Sequence, residues 1–210
     1  MDVNKNVDAP DYIQEDLYLA GILSAVGQGN YWDIRATSVL TQSFGTSGYT
    51  TYASHFYSKA SDNAAEMWRV TYWHAGMNLE NMINQSLEAE SWTLAGIGYA
   101  IKAFCWDMLT KLHGDIPMKQ AFEPGRLSHD YDYQDEVYTQ VREWANTAIE
   151  YLEMEDNTDY GSRLRDADIM FAGNKDKWLK FAHGVIVRNL ASLTNKNDFA
   201  SAYAQDLITH

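Results

Sequence analysis

The chain has a single cysteine, Cys105, three prolines and only 16 basic residues, and each shortage removes a class of protein. One thiol cannot build an internal disulfide framework. Cys105 lies in a strongly apolar stretch, which reads as an inert core thiol rather than a reactive one. So few prolines, set against long apolar-periodic stretches, point to helices and away from a turn-rich β fold. Against 29 acidic residues the formal net charge is −13. Nucleic acid is excluded as a partner, because neutralising phosphates takes clustered Lys and Arg. The same charge disfavours adhesion to an anionic membrane surface. No run reaches the roughly 18 apolar residues of a membrane span. A signal peptide is not visible either, since Met1 is followed directly by Asp2, Val3, Asn4 and Lys5. The alternatives are a cytoplasmic protein or one whose export signal has been removed.

Catalytic fingerprints are missing as well. There is no phosphate loop, dinucleotide fingerprint, nucleophile elbow or H-E-x-x-H zinc motif. Gly96-Ile97-Gly98 falls inside a helical pattern with no strand before it. The six histidines are scattered and no two stand four apart, so no metal site is expected, and no cofactor. Asp130, Asp132, Asp135 and Glu136, and then Glu153, Glu155 and Asp156, sit at helix borders. They read as solvated faces with capping and dipole roles rather than a glycosidase pair. Residues 156–161 (DNTDYG) have a faint calcium-loop outline but lack the usual ligands at the fifth and twelfth places. No catalytic residue is expected.

Present in abundance are helical periodicity and aromatic rings. Aromatics make up 13% of residues, with 7 Trp and 14 Tyr. Residues 11–26 read as an amphipathic helix ending at the Gly27-Gln28-Gly29-Asn30 breaker, and 32–43 as a shorter one. Asp62 is placed to cap a long helix through Glu88, and Ser91 to open another that Gly114 closes. Polar side chains between Leu94 and Leu112 are nearly confined to Lys102, Asp107, Thr110 and Lys111. That marks a central helix, in which Gly96 and Gly98 allow a crossing helix to come close. Further helices are expected around Val137–Leu152 and 176–193, with a last segment opening at Asp198. Phe104, Cys105, Met108, Leu109, Trp144 and Trp178 are the expected core. The fold class that follows is all-α, an array of antiparallel helix pairs in tetratricopeptide style with long irregular loops, although no clean 34-residue repeat is visible.

Residues 44–61 differ in kind, with rings interleaved among Gly, Ser and Thr. Long loops of this sort tend to be functional. Tyr49, Tyr52, Phe56 and Tyr57, joined by Trp32 and Gln42 upstream, are the candidate ligand contacts: rings stack on sugar C–H faces and the amide bonds hydroxyls. The bland alternative is a loop whose rings dock onto neighbouring helices. Composition leaves both standing.

Several stretches together resemble the SusD/RagB family. They are the Asn4–Pro10 lead-in; Trp68-x-x-x-Tyr72 continuing to Asn78; Tyr99-Ala100-x-x-Ala103-Phe104 running to Gly114-Asp115-Ile116-Pro117; Val137-Tyr138 through Leu152; and Ala172-Gly173-Asn174-x-x-x-Trp178-x-Lys180-Phe181-Ala182 with Arg188. His183 departs from the pattern, standing where Asn is more usual. The resemblance implies a helical, tetratricopeptide-like lipoprotein, exported and lipid-anchored to the outer membrane and facing outward. It also implies capture of glycans, or peptides in the RagB case, for a SusC-like TonB-dependent transporter. On that basis residues 1–210 are read as one helical region, truncated at its carboxyl end, whose lipidated cysteine lies upstream of residue 2. Trp68, Tyr72, Trp178 and Phe181 read as helix-packing anchors rather than ligand contacts. A glycan-processing enzyme on a helical scaffold is the rival from another class.

Overall fold

The computed structural model describes residues 13–43 and 66–210. Among these the chain is helical: α1 (Leu17–Leu40), α2 (Glu66–Arg69), a π-helical turn (Val70–His74), α3 (Gly76–Glu88), α4 (Trp92–His113), α5 (Gln134–Glu153), α6 (Ser162–Ala167), α7 (Lys175–Ala191), α8 (Phe199–Ala202) and α9 (Ala204–Thr209). One isolated antiparallel bridge, Ile116 to Asp132, is the extended pairing found among the described residues.

The all-α array forms as the periodicity predicts, and α4 is its centre. Gly96 and Gly98 mark its two tight crossings. A Cβ on Gly96 would stand 2.7 Å from Leu152 Cγ of α5, and one on Gly98 would stand 2.6 Å from Ile83 Cγ1 of α3. A methyl group has no room at either point, so glycine's cost in helix propensity is offset by close packing on both sides. Residues early in α4 meet late α5, whereas Trp106 and Thr110 late in α4 meet Trp144 and Gln134 of α5. The pair is therefore antiparallel. Val137, Val141, Ala145, Ala148 and Leu152 are the buried stripe of α5, and their helical spacing is what lays that helix along α4.

Two elements differ from expectation. The break expected at residues 27–30 does not occur, and α1 runs unbroken to Leu40. Gly29 is a packing position: its Cβ would lie 2.6 Å from Val70 Cγ2. Burial of Leu19, Ile22 and Leu23 supplies the tertiary support that propensity withholds. Later in α1, the Asp33 carboxylate accepts Met67 N at 2.8 Å and so caps α2. The helix expected from Asp62 to Glu88 begins outside the described residues, and within them it is interrupted by the π turn, where Ala75 N bonds Val70 O at 2.9 Å. The wider turn leaves Trp73 77% exposed while Val70 and Thr71 stay buried.

Within the expected core, Cys105, Leu109 and Trp178 are fully enclosed, whereas Phe104, Met108 and Trp144 are half-buried. Trp144 sits at the margin of the α5 stripe, where the Lys102 ammonium covers its ring at 4.6 Å. Burial pushes the Cys105 thiol up to about 12, against the opposing pull of Arg188. Cys105 should therefore resist iodoacetamide at pH 8 in the native protein and react once urea unfolds it. Alkylation of the folded protein at the rate of a free thiol is the result that would contradict this.

Candidate ligand-binding surface

The conspicuous polar residues of the motif-bearing segments are engaged inside the fold. The Trp178 indole N–H donates to Asp168 Oδ2 at 2.7 Å. Asp168, itself buried, also accepts Met170 N, Phe171 N and Gly173 N at 2.8–3.1 Å. One carboxylate thus holds both the turn before α7 and the tryptophan on α7, while the Asn174 side chain caps that helix at Lys177 N. Tyr72 packs edge-on to Trp106 and donates its hydroxyl to Pro117 O at 2.7 Å. Burial raises its phenol above the ordinary value. Gly114 turns the chain at φ +79, and the Asp115 carboxylate after it accepts Gln134 N, the first residue of α5. These residues are fold anchors.

The calcium-loop outline at 156–161 has an equally structural use. Asp156 accepts both the backbone N and the hydroxyl of Thr93, at 2.6 and 2.5 Å, and so caps α4 from 63 residues away. Asp159 accepts Gly161 N. Among the described residues no group of three His, Cys, Asp or Glu side chains is arranged to hold a metal ion.

Of the candidate ligand contacts, Trp32 and Gln42 are described. Trp32 is 40% exposed on α1, beside the more exposed Tyr31. Gln42 lies just past the end of α1, exposed and at φ +58. Ten residues separate the two, about 15 Å along a helix axis, too far apart to line one small pocket together. Tyr49, Tyr52, Phe56 and Tyr57 lie outside the described residues.

A second surface was not anticipated. A groove of about 360 Å³ runs between α3, α4, α5 and the connection at 118–124, lined by Glu80, Lys102, Trp106, Phe122, Gln140 and Trp144. Lys102 Nζ bridges to Glu80 at 2.6 Å and lies over the Trp144 ring. Trp106 tilts against Trp144 with 6.0 Å between ring centroids. Periodicity assigned Trp144 to the core, and that hid the groove. The available signal was Gln140 four residues before Trp144, a polar–aromatic pair one step around the helix from Val141 and Ala145.

Residues 20–210 match the SusD-like family, described as starch-binding and associating with the outer membrane. The chain belongs to that family. Solved structures similar to this SusD-like chain include a SusD/RagB family protein from Bacteroides thetaiotaomicron, 22% identical with a TM-score of 0.71 over 90% of this chain. A SusD-like protein from the same organism is 17% identical, with a TM-score of 0.71 over 93%. A SusD homologue from Bacteroides fragilis is 19% identical, with a TM-score of 0.54 over 88%. At these identities the likeness establishes a shared fold. The chain spans 41%, 41% and 36% of the lengths of those three proteins, respectively. No curated protein matches the sequence. No helix among the described residues is long and apolar enough to cross a membrane.

Proposed function

We propose that this SusD-like protein captures oligosaccharides at the outer-membrane surface for import through a SusC-like TonB-dependent transporter, with no catalytic step of its own. The observation that carries the reading is the match, across residues 20–210, to a family described as starch-binding and outer-membrane-associated. The aromatic residues of α1 agree with it, since Tyr31 and Trp32 are exposed and sugar C–H groups stack on rings of this kind. In this reading residues 1–210 form one helical region of a longer lipoprotein, tethered by a lipidated cysteine upstream of residue 2, and Trp32, Gln42, Tyr49, Tyr52, Phe56 and Tyr57 contact the ligand.

Calorimetric titration of the full-length protein with neutral oligosaccharides, including maltoheptaose, xyloheptaose and cellohexaose, tests it. Saturable binding of at least one glycan is expected, without product release. Each stacked ring contributes on the order of 1 kcal/mol, so alanine at Trp32, Tyr49, Tyr52 or Phe56 should weaken binding about fivefold. Binding of peptides with no glycan bound would replace this reading with a RagB-like one. Hydrolysis of any glycan would make the protein an enzyme. Fractionation of the native cells should place it in the outer membrane, and recovery only from the cytosol would overturn the location.

A further inference from the structure

We propose that the groove between α3, α4 and α5 is a saccharide subsite, separate from the α1 surface and selective for neutral sugar. The inference rests on the glycan-capture reading above. Its first support is charge. The charged residues lining the groove are already paired within the fold: Lys102 with Glu80 at 2.6 Å, Lys119 with Glu136 and Asp132 at 3.0 and 3.3 Å, and Glu123 with Arg126. With these charges balanced within the fold the groove presents no uncompensated cation to draw an anionic ligand, and a neutral one needs none.

The second support is the set of polar groups left over. The half-buried amide of Gln140 has no hydrogen-bond partner among the described residues. The indole N–H groups of Trp106 and Trp144 likewise find no acceptor among them, and neither is sealed from solvent. Lys102 has three donors; one answers Glu80, and the ammonium also lies over the Trp144 ring. An amide that both gives and accepts, together with indole and ammonium donors, is a set suited to hydroxyl groups.

The third support is shape. Phe122 and the part of Trp144 that Lys102 does not cover supply aromatic walls, and a volume of about 360 Å³ lies at the small end of ligand pockets. That suits a short stretch of sugar chain with one C–H face on a ring.

The test uses the full-length protein, the three oligosaccharides named above, and the variants Gln140→Ala and Trp144→Leu, with unchanged unfolding midpoints and circular dichroism required. Both substitutions should weaken the bound oligosaccharide about fivefold or more, and Trp32→Ala should add to that loss rather than mask it. If the wild type binds an oligosaccharide and well-folded Gln140→Ala binds it with the same affinity, the groove is no subsite, while glycan capture stands. If Trp144→Leu is too unstable to assay, Gln140→Ala alone decides. If the wild type binds none of the three, the starting reading and this inference fall together.

Discussion

Replacing Trp178 with alanine should lower the free energy of unfolding by about 3–5 kcal/mol, the range for emptying a large buried aromatic site. The ring is 0% exposed and stands edge-on to Phe171 and Phe181, with centroids 5.0 and 5.3 Å away. Relaxation cannot easily fill the space, because α7 is held on both sides of the ring: by the Asn174 cap before it and by packing of Ala182 and Ile186 after it. The substitution also removes one of four donors to the buried Asp168 carboxylate. Trp178→Phe separates the two effects. It keeps most of the apolar bulk and loses the indole N–H, so it should cost about 1.5–3 kcal/mol, typical of a hydrogen bond to a charged group. Urea denaturation with an unchanged m-value reads both. A loss below 1 kcal/mol for the alanine variant would show that the ring is not enclosed.

Asp107→Ala should be nearly as damaging, and its cost should depend on pH. Asp107 is 0% exposed on a helix otherwise packed by apolar neighbours. It accepts Arg188 Nη2 at 2.7 Å and Nε at 3.0 Å, Lys111 Nζ at 2.8 Å and Asn189 Nδ2 at 2.9 Å. Without the carboxylate, two cations remain against the helix pair with no opposite charge. Removing one partner of a buried pair costs about 3–5 kcal/mol. Arg188 retains 38% side-chain exposure and can turn to water, so the lower end of that range is expected. Burial already lowers the Lys111 pKa from 10.5, and Asp107 is the group that opposes the fall. Removing it lowers the folded value further. A lysine whose folded pKa lies below its unfolded 10.5 binds fewer protons in the folded state, so stability rises with pH up to that value. Urea midpoints of Asp107→Ala should therefore climb between pH 8 and 10 more steeply than those of the wild type. Parallel profiles would mean that Asp107 does not hold Lys111.

Both residues illustrate how far the linear chain can be read. Helical spacing alone placed α5 and α7, the central character of α4 and the closing role of Gly114, because amphipathic periodicity is a local property written every three or four residues. Gly96 and Gly98 were also legible as crossing points, since glycine inside an apolar helix has little other use. The motif stretches by themselves pointed to the family. Their conspicuous residues proved to be anchors, which their chemistry had already suggested: tryptophans and a tyrosine on apolar faces.

What the chain alone could not disclose is which partners meet across long separations. Gly29 has the composition of a breaker, and only the position of Val70 beside it makes it a packing site inside an unbroken helix. Asp156 looks like a fragment of a metal loop until Thr93, 63 residues earlier, is found to need a cap. The groove arises because Trp144 and Gln140 of α5 come to face Lys102 of α4 and Glu80 of α3. Local sequence determined the helices and their inner faces. Tertiary structure decided the ends, the caps and the candidate subsite, because these depend on how helices cross, and crossing is set by side-chain volumes on both partners at once.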